Sequence, residues 1–392
     1  MSTIFFILIA ILILMVMITI HELGHYIAGK MLGFKINEFS IGFGKAIFKR
    51  QSKKTGEIFA IRMIPLGGYC AFEGGDEADS AGHKVDPNAE QQHFPDATGK
   101  PFNEMHPWKR LVVLFSGALA NFLSAIIFSA ILLMIVGYYQ GVRIGDFTND
   151  SPNQPGAVHA TGGNLQTGDV ILAINGERFV ILNNFNVVMS RLGQGEHAFL
   201  IRRDGVEKEV NVIMTTLVDD VTGRQYTGIG INMHPARGEP AEMVFHPMGF
   251  FESLWRGLLF SFELAWFILV ILWSLITGRI GLEGVGGPMA TMSVMAQSIS
   301  MGFVNIFLLL PLLSVNLAVF NLLPIPALDG ARMVFVGIEW VRGRPINPDI
   351  EGRIHFIGLI VLMGLVVFFD INFFAGGGGR FNPLDVFGRL RL

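Results

Sequence analysis

Three runs of this chain carry no charged residue: Thr3 to Ile20 over 18 positions, and Leu111 to Gly137 and Gly302 to Leu328 over 27 each. About twenty such residues cross a bilayer as a helix, because a helix bonds every backbone polar group within itself. The expected fold class is therefore a multi-pass α-helical membrane protein. Composition agrees, since 51% of the 392 residues are apolar and only 16% are charged, which nearly excludes a purely soluble chain. A net charge of -3 without a long basic run leaves no footprint for nucleic acid, so the expected partners are lipid bilayer and protein. The single cysteine, Cys70, has no partner for an internal disulfide and is expected to be a small packed side chain.

Charge placement gives an expected topology. The first apolar run lacks a basic n-region and a small-residue cleavage site, so 1–32 reads as a retained first transmembrane helix. Lys35, Lys45, Lys49, Arg50, Lys53, Lys54 and Arg62 follow it closely, which assigns 33–107 to the cytoplasm. A second helix over 108–140 then returns the chain to the outer face, where 141–242 has the charges and short alternating strands of a soluble domain. Arg332, Arg342, Arg344 and Arg353 place the connection 331–353 inside. The third helix, 302–330, thus runs inward and the fourth, 354–374, outward, before a tail over 375–392 that begins in Gly376 to Gly379. By this parity 243–301, including the apolar Gly257 to Gly278 with Glu263 inside it, is expected to be interfacial or half-inserted.

The strongest chemical signal is His21-Glu22-Leu23-Gly24-His25. Positions four apart on a helix lie about 40° apart around its axis, so both imidazoles can face one ion while Glu22 sits beside the first ligand as a base. Two histidines and a glutamate at the inner end of an apolar helix need partners or a wet cavity. A catalytic zinc takes three protein ligands and leaves one position for water. Asp329 is the best-placed third ligand. It follows Pro324-Ile325-Pro326, whose prolines break the helix, and broken backbone at membrane depth is tolerated where it lines a cavity. Asp329 could also be a plain helix cap. Glu263, His355 and Asp370 are weaker candidates, and Glu339 is expected on a solvated face, as are His83, His93 and His106 in their polar loop.

These residues resemble the site-2 protease family, within it the bacterial regulator-of-sigma-E type. The likeness rests on His21 to His25 together with Asn321-Leu322-Leu323-Pro324-Ile325-Pro326-Ala327-Leu328-Asp329-Gly330, and extends to Gly42-Phe43-Gly44, Gly117 to Asn121 and Gly287-Pro288. It implies that His21, His25 and Asp329 bind zinc, that Glu22 activates water and that Asn321 helps to hold substrate. The outer segment, with Pro152 to Val158, Gly168-Asp169-Val170-Ile171 and Asn175-Gly176, resembles a PDZ domain. There is room for one such domain rather than the tandem pair of the Gram-negative enzyme, so the chain is similar to the single-PDZ relatives of Gram-positive bacteria. Gly228, Ile229 and Gly230 are then expected in a loop that turns backbone amides to a peptide C-terminus, unless the domain only fills space or filters by size.

Phe39 to Phe48 and Glu57 to Ile64 read as a membrane-associated β-hairpin on the cytoplasmic side. Its edge at Ile58, Phe59, Ala60 and Ile61 is expected to pair with an extended substrate. Taken together, the expected function is an intramembrane zinc metalloprotease of the cytoplasmic membrane. Its substrates would be single-pass transmembrane proteins, anti-sigma factors or remnant signal peptides, cut in regulated intramembrane proteolysis with the active site near the cytoplasmic side and the PDZ domain outside. The alternative is a non-catalytic membrane scaffold or chaperone, which has no use for Glu22 as a base. A metal transporter needs further midplane ligands, and Leu111 to Gly137 holds neither histidine nor acid.

Overall fold

A computed structural model describes residues 3–75, 96–147, 165–179, 185–218, 225–231, 240–278, 286–300 and 304–375. His83, His93, Pro152 to Val158 and Gly376 to Gly379 lie outside the described residues. The helices described are α1 (Thr3–Leu32), α2 (Pro107–Val136), α3 (Phe185–Arg191), α4 (Phe250–Ile276), α5 (Pro288–Ser300), α6 (Val304–Leu322), α7 (Asp329–Arg342) and α8 (Pro348–Ala375). The strands are β1 (Ile36–Gln51), β2 (Ile58–Phe72), β3 (Tyr138–Arg143), β4 (Val170–Ile174), β5 (Glu177–Arg178), β6 (Gly195–Arg203), β7 (Val206–Val218), β8 (Gln225–Gly228) and β9 (Glu242–His246). The described residues divide into two compact units, the first within Met1–Leu132 and Ser253–Gly379, the second within Leu133–Glu252.

In the first unit α1, α2, α4 and α8 are long and apolar enough to cross a membrane, and α6 is shorter, with Pro311 inside it. Helices gain little from hydrophobic burial against one another in lipid, so close approach through small residues holds them. A Cβ at Gly24 would stand 2.3 Å from the Ser116 carbonyl oxygen, which fixes α1 hard against α2. Helix α4 runs antiparallel to α2: Gly257 sits on Ala130, Ser129 and Ser261 hydroxyls meet at 3.2 Å, and Phe122 meets Phe262. The apolar segment expected to be interfacial or half-inserted is part of one 27-residue helix, Phe250–Ile276, of a length that could cross. Charge parity depends only on the connections and is blind to helix continuity across Glu263.

Strands β1 and β2 pair twice, which overturns the expected free edge. Ile58, Phe59, Ala60 and Ile61 face Gln51, Arg50, Lys49 and Phe48 as Cα partners, and also face Glu38, Phe39, Ser40 and Ile41. Their backbone groups have neighbours on both sides and cannot receive a substrate strand. Two strands of 16 and 15 residues are long enough to fold back on each other once bulged. Gly42 and Gly44 supply the bends, at φ +85° and +82°. Within the described residues the 68–71 run pairs on one side only, with 38–41.

Buried charge ties this sheet together and to α1. Glu38, fully buried, accepts hydrogen bonds from Arg62 at 2.6 Å and from the Tyr69 hydroxyl at 2.8 Å. Burial and that bond to Glu38 push the Tyr69 phenol up to about 12. Glu57 accepts from Tyr26 at 3.1 Å and pairs with Lys30, both on α1. Breaking such a buried pair leaves a bare charge, so the sheet is held in place by cost as much as by attraction. Cys70 is packed as expected, among Phe34, Ile36 and Phe72.

The second unit is a sheet of order β8-β7-β6-β4-β3-β9, with β5 beside β4 and α3 alongside in its core cluster. Asn175 and Gly176 turn β4 into β5 with φ +51° and +80°, the Asn-Gly signature of a tight hairpin. Asp169 holds Arg203 by two bonds of 2.6 Å. Gly228 pairs with Thr215, and Ile229 and Ile231 fill the core. Residues 228–231 are all buried.

Replacement of Gly24 by leucine should cost about 1–3 kcal/mol of stability through overpacking. Thermal unfolding in detergent measures it. Gly364, with nothing within 4 Å of an added Cβ, is the control that should tolerate leucine.

Candidate metal centre

His21 and His25 share one face of α1, and the chain returns Asp329 to them after three hundred residues. His21 Nε2 is 2.9 Å from Asp329 Oδ2, His25 Nε2 is 3.2 Å from the same oxygen, and the two ring nitrogens are 3.1 Å apart. Three lone pairs converge here with side chains that are 88–91% buried, an arrangement that repels itself unless a cation or proton lies among them. The separations are close to the ~3.3 Å edge of a tetrahedron whose centre lies ~2.0–2.1 Å from nitrogen or oxygen ligands. The donor set, two imidazoles and one carboxylate, suits zinc and leaves a fourth position. Among the described residues these three are the group able to hold a metal.

Packing aims the ligands. His25 Nδ1 lies 2.8 Å from the Val113 carbonyl on α2, so Nδ1 carries the proton and Nε2 keeps its lone pair for the metal. Gly117, one turn further on α2, leaves room for both rings: a Cβ there would be 2.5 Å from His25 Nε2 and 2.7 Å from His21 Cε1. Asp329 is delivered by a break between α6 and α7. Ala327 is held at φ +75°, an unusual state for a residue with a side chain, and its N–H donates to His355 Nδ1 at 2.9 Å. Gly330 then lets the chain pass the Leu323 carbonyl, which an added Cβ would meet at 2.2 Å.

The weaker ligand candidates have other places. His355 supports the Ala327 turn. Asp370 accepts from the N–H groups of Met289 and Ala290 and caps α5, about 22 Å along α8 from His355. Glu263 lies on the exposed face of α4. Glu339, expected to be solvated, pairs with the buried Arg110 of α2. Glu22 is half-buried, next to His21, with its Cγ 3.6 Å from where a Gly68 Cβ would stand. The one-sided 68–71 run therefore passes the prospective base. Asn321 Nδ2 is 3.4 Å from His21 Nδ1, so this residue borders the centre as well. A cavity of about 300 Å³ opens on His25 and Asp329 and is lined by Arg110, Arg332, Glu339 and Glu351.

Alanine at Gly117 should release the metal while the helices survive, because the added methyl stands where the imidazoles must be. Metal content by elemental analysis and helicity by circular dichroism check it. Full metal occupancy in that variant would contradict this placement of the rings.

Known proteins are similar in sequence to this chain over most of its length. A protein of Rhizobium meliloti (strain 1021) is 29% identical over 370 residues, 93% of this chain and 96% of its own length. Proteins named zinc metalloprotease RasP match from Oceanobacillus iheyensis, 27% identical over 90% of this chain and 94% of theirs, and from Geobacillus kaustophilus, 29% identical over 88% and 92%. The model of Peptidase family M50 matches residues 9–365, a span that carries His21, Glu22, His25 and Asp329, and the chain belongs to that family.

Proposed function

We propose that this membrane peptidase is an intramembrane zinc metalloprotease that hydrolyses one peptide bond in the transmembrane segment of a single-pass protein, an anti-sigma factor or remnant signal peptide. The observation that carries the reading is the meeting of His21, His25 and Asp329 within 3.2 Å on helices of an apolar unit. Zinc names in the relatives support the choice of metal. Zinc, when bound, supplies a Lewis acid that polarises a carbonyl and acidifies water. Glu22 accepts the proton of the attacking water and returns it to the leaving amine as the C–N bond breaks. Asn321 donates its amide N–H to the substrate backbone. The cavity beside His25 and Asp329 gives water a route to the site.

A helical substrate hides its carbonyls inside its own hydrogen bonds, so it must open before hydrolysis. In our reading the opened strand pairs with the half-buried edge at Gly68 and Tyr69, beside Glu22, rather than with 58–61. The basic segment after α1 supports a position of this sheet and the metal near the cytoplasmic face. The second unit, read as a PDZ domain outside, acts by excluding bulky external domains.

Changing Glu22 to glutamine should leave one zinc per chain and slow cleavage by ~10²–10⁴-fold, the range for loss of a general base. Cleavage of a tagged transmembrane substrate in liposomes, with zinc analysis of the same preparation, tests it; retained cleavage would remove Glu22 from the mechanism. A second test uses proline, which deletes a backbone donor. Proline at Gly68 or Tyr69, the half-buried positions of this run, should slow cleavage at whichever position donates outward, with zinc retained, whereas proline at Phe59 should disrupt the sheet itself. If neither edge position affects the rate, substrate does not pair there.

A further inference from the structure

His21 sets a requirement that its neighbours must meet. Its Nε2 faces Asp329 and His25 at 2.9 and 3.1 Å, so this nitrogen offers its lone pair to the metal. A neutral imidazole then carries its proton on Nδ1, which becomes a donor. Two amides approach Nδ1, Asn121 from α2 and Asn321 from α6, each with its nitrogen placed at 3.4 Å. One N–H cannot donate to another. At least one amide must turn its oxygen to the ring, and amide oxygen and nitrogen are told apart only by such bonding.

Burial decides between them. Asn121 is fully buried, and its Oδ1 has no hydrogen-bond partner among the described residues. An acceptor left idle in that setting is costly, and the donor it lacks lies on the other side of the same amide. Asn321 is only half-buried, at the border of the centre, where its N–H groups can serve a substrate. We propose that Asn121 is a positioning residue whose carbonyl oxygen accepts the His21 Nδ1–H bond and so fixes the ring with Nε2 toward the metal. Helix α2 then orients both imidazoles: Val113 holds His25 through its backbone carbonyl and Asn121, two turns on, holds His21 through its side chain. The proposal rests on the zinc reading above and extends it to a residue that touches neither metal nor substrate.

The test is zinc affinity of purified full-length protein in detergent, by competition with a chelator, alongside thermal unfolding of the metal-free forms. Asn121→Leu should bind zinc ~10–100-fold more weakly, the usual loss when a ligand's outer partner is removed, while Asn121→Asp, which keeps an acceptor, and Asn321→Leu should stay within ~3-fold. Unchanged affinity in Asn121→Leu, an equal loss in Asn121→Asp, or the loss appearing at Asn321→Leu would each overturn it. Should Asn121→Leu fail to fold, the wild type decides: with ¹⁵N-labelled histidine and zinc bound, His21 Nδ1 must carry a slowly exchanging proton. A bare Nδ1 contradicts the proposal. Wild type that binds no zinc at all would instead defeat the metal reading on which it rests.

Discussion

Three acceptor atoms, two from one helix and one from a break three hundred residues later, lie within 3.2 Å of one another. Such convergence is electrostatically unfavourable without a cation, and the apolar helices around it cannot relieve it. Everything near the centre answers that constraint. The rings must be held with Nε2 inward, so their Nδ1 atoms need acceptors, and α2 lies close enough to supply them. That closeness is possible only because Gly24 and Gly117 have no side chain to intervene.

The third ligand imposes the opposite demand. A carboxylate carried by a continuous helix would point wherever the helix pointed. Pro324 and Pro326 end α6, Ala327 takes a strained φ of +75°, and α7 begins at Asp329 itself. His355 and Gly330 hold the break, one by accepting the Ala327 N–H and one by making room. Strain at this place is tolerated because the centre needs the carboxylate in one position, and packing on α8 keeps it there. The β-sheet answers a related need: its buried Glu38 and Glu57 pairs fix it to itself and to α1, which brings Gly68 against Glu22.

Much of this was legible in the sequence for local reasons. The spacing of His21, Glu22 and His25 is a property of any helix, and uncharged runs of 18 and 27 residues can hardly be anything else. Asp329 was reachable because the charge bias of the sequence led to the expectation that its helix end lies on the same side as His25. What escaped was non-local. Alternation marks Ile58 to Ile61 as strand but does not say how many neighbours it has, and a double pairing turned an expected edge into an interior run. At the Gly228 loop, likewise, glycine suggests open backbone, whereas the fold draws Ile229 and Ile231 inward. Gly117 and Asn121 stood in a recognised spacing, yet their tasks depend on rings from another helix.

The most direct test of the central claim is X-ray absorption at the zinc edge on the purified protein in detergent. Our account predicts one zinc per chain with two imidazole nitrogens, one carboxylate oxygen and one further light atom at ~2.0–2.1 Å, and no sulfur. Loss of one imidazole shell in a His25→Ala variant should follow. A zinc bound through sulfur, a site that keeps both imidazoles when His25 is removed, or protein with no zinc when freshly purified would contradict it.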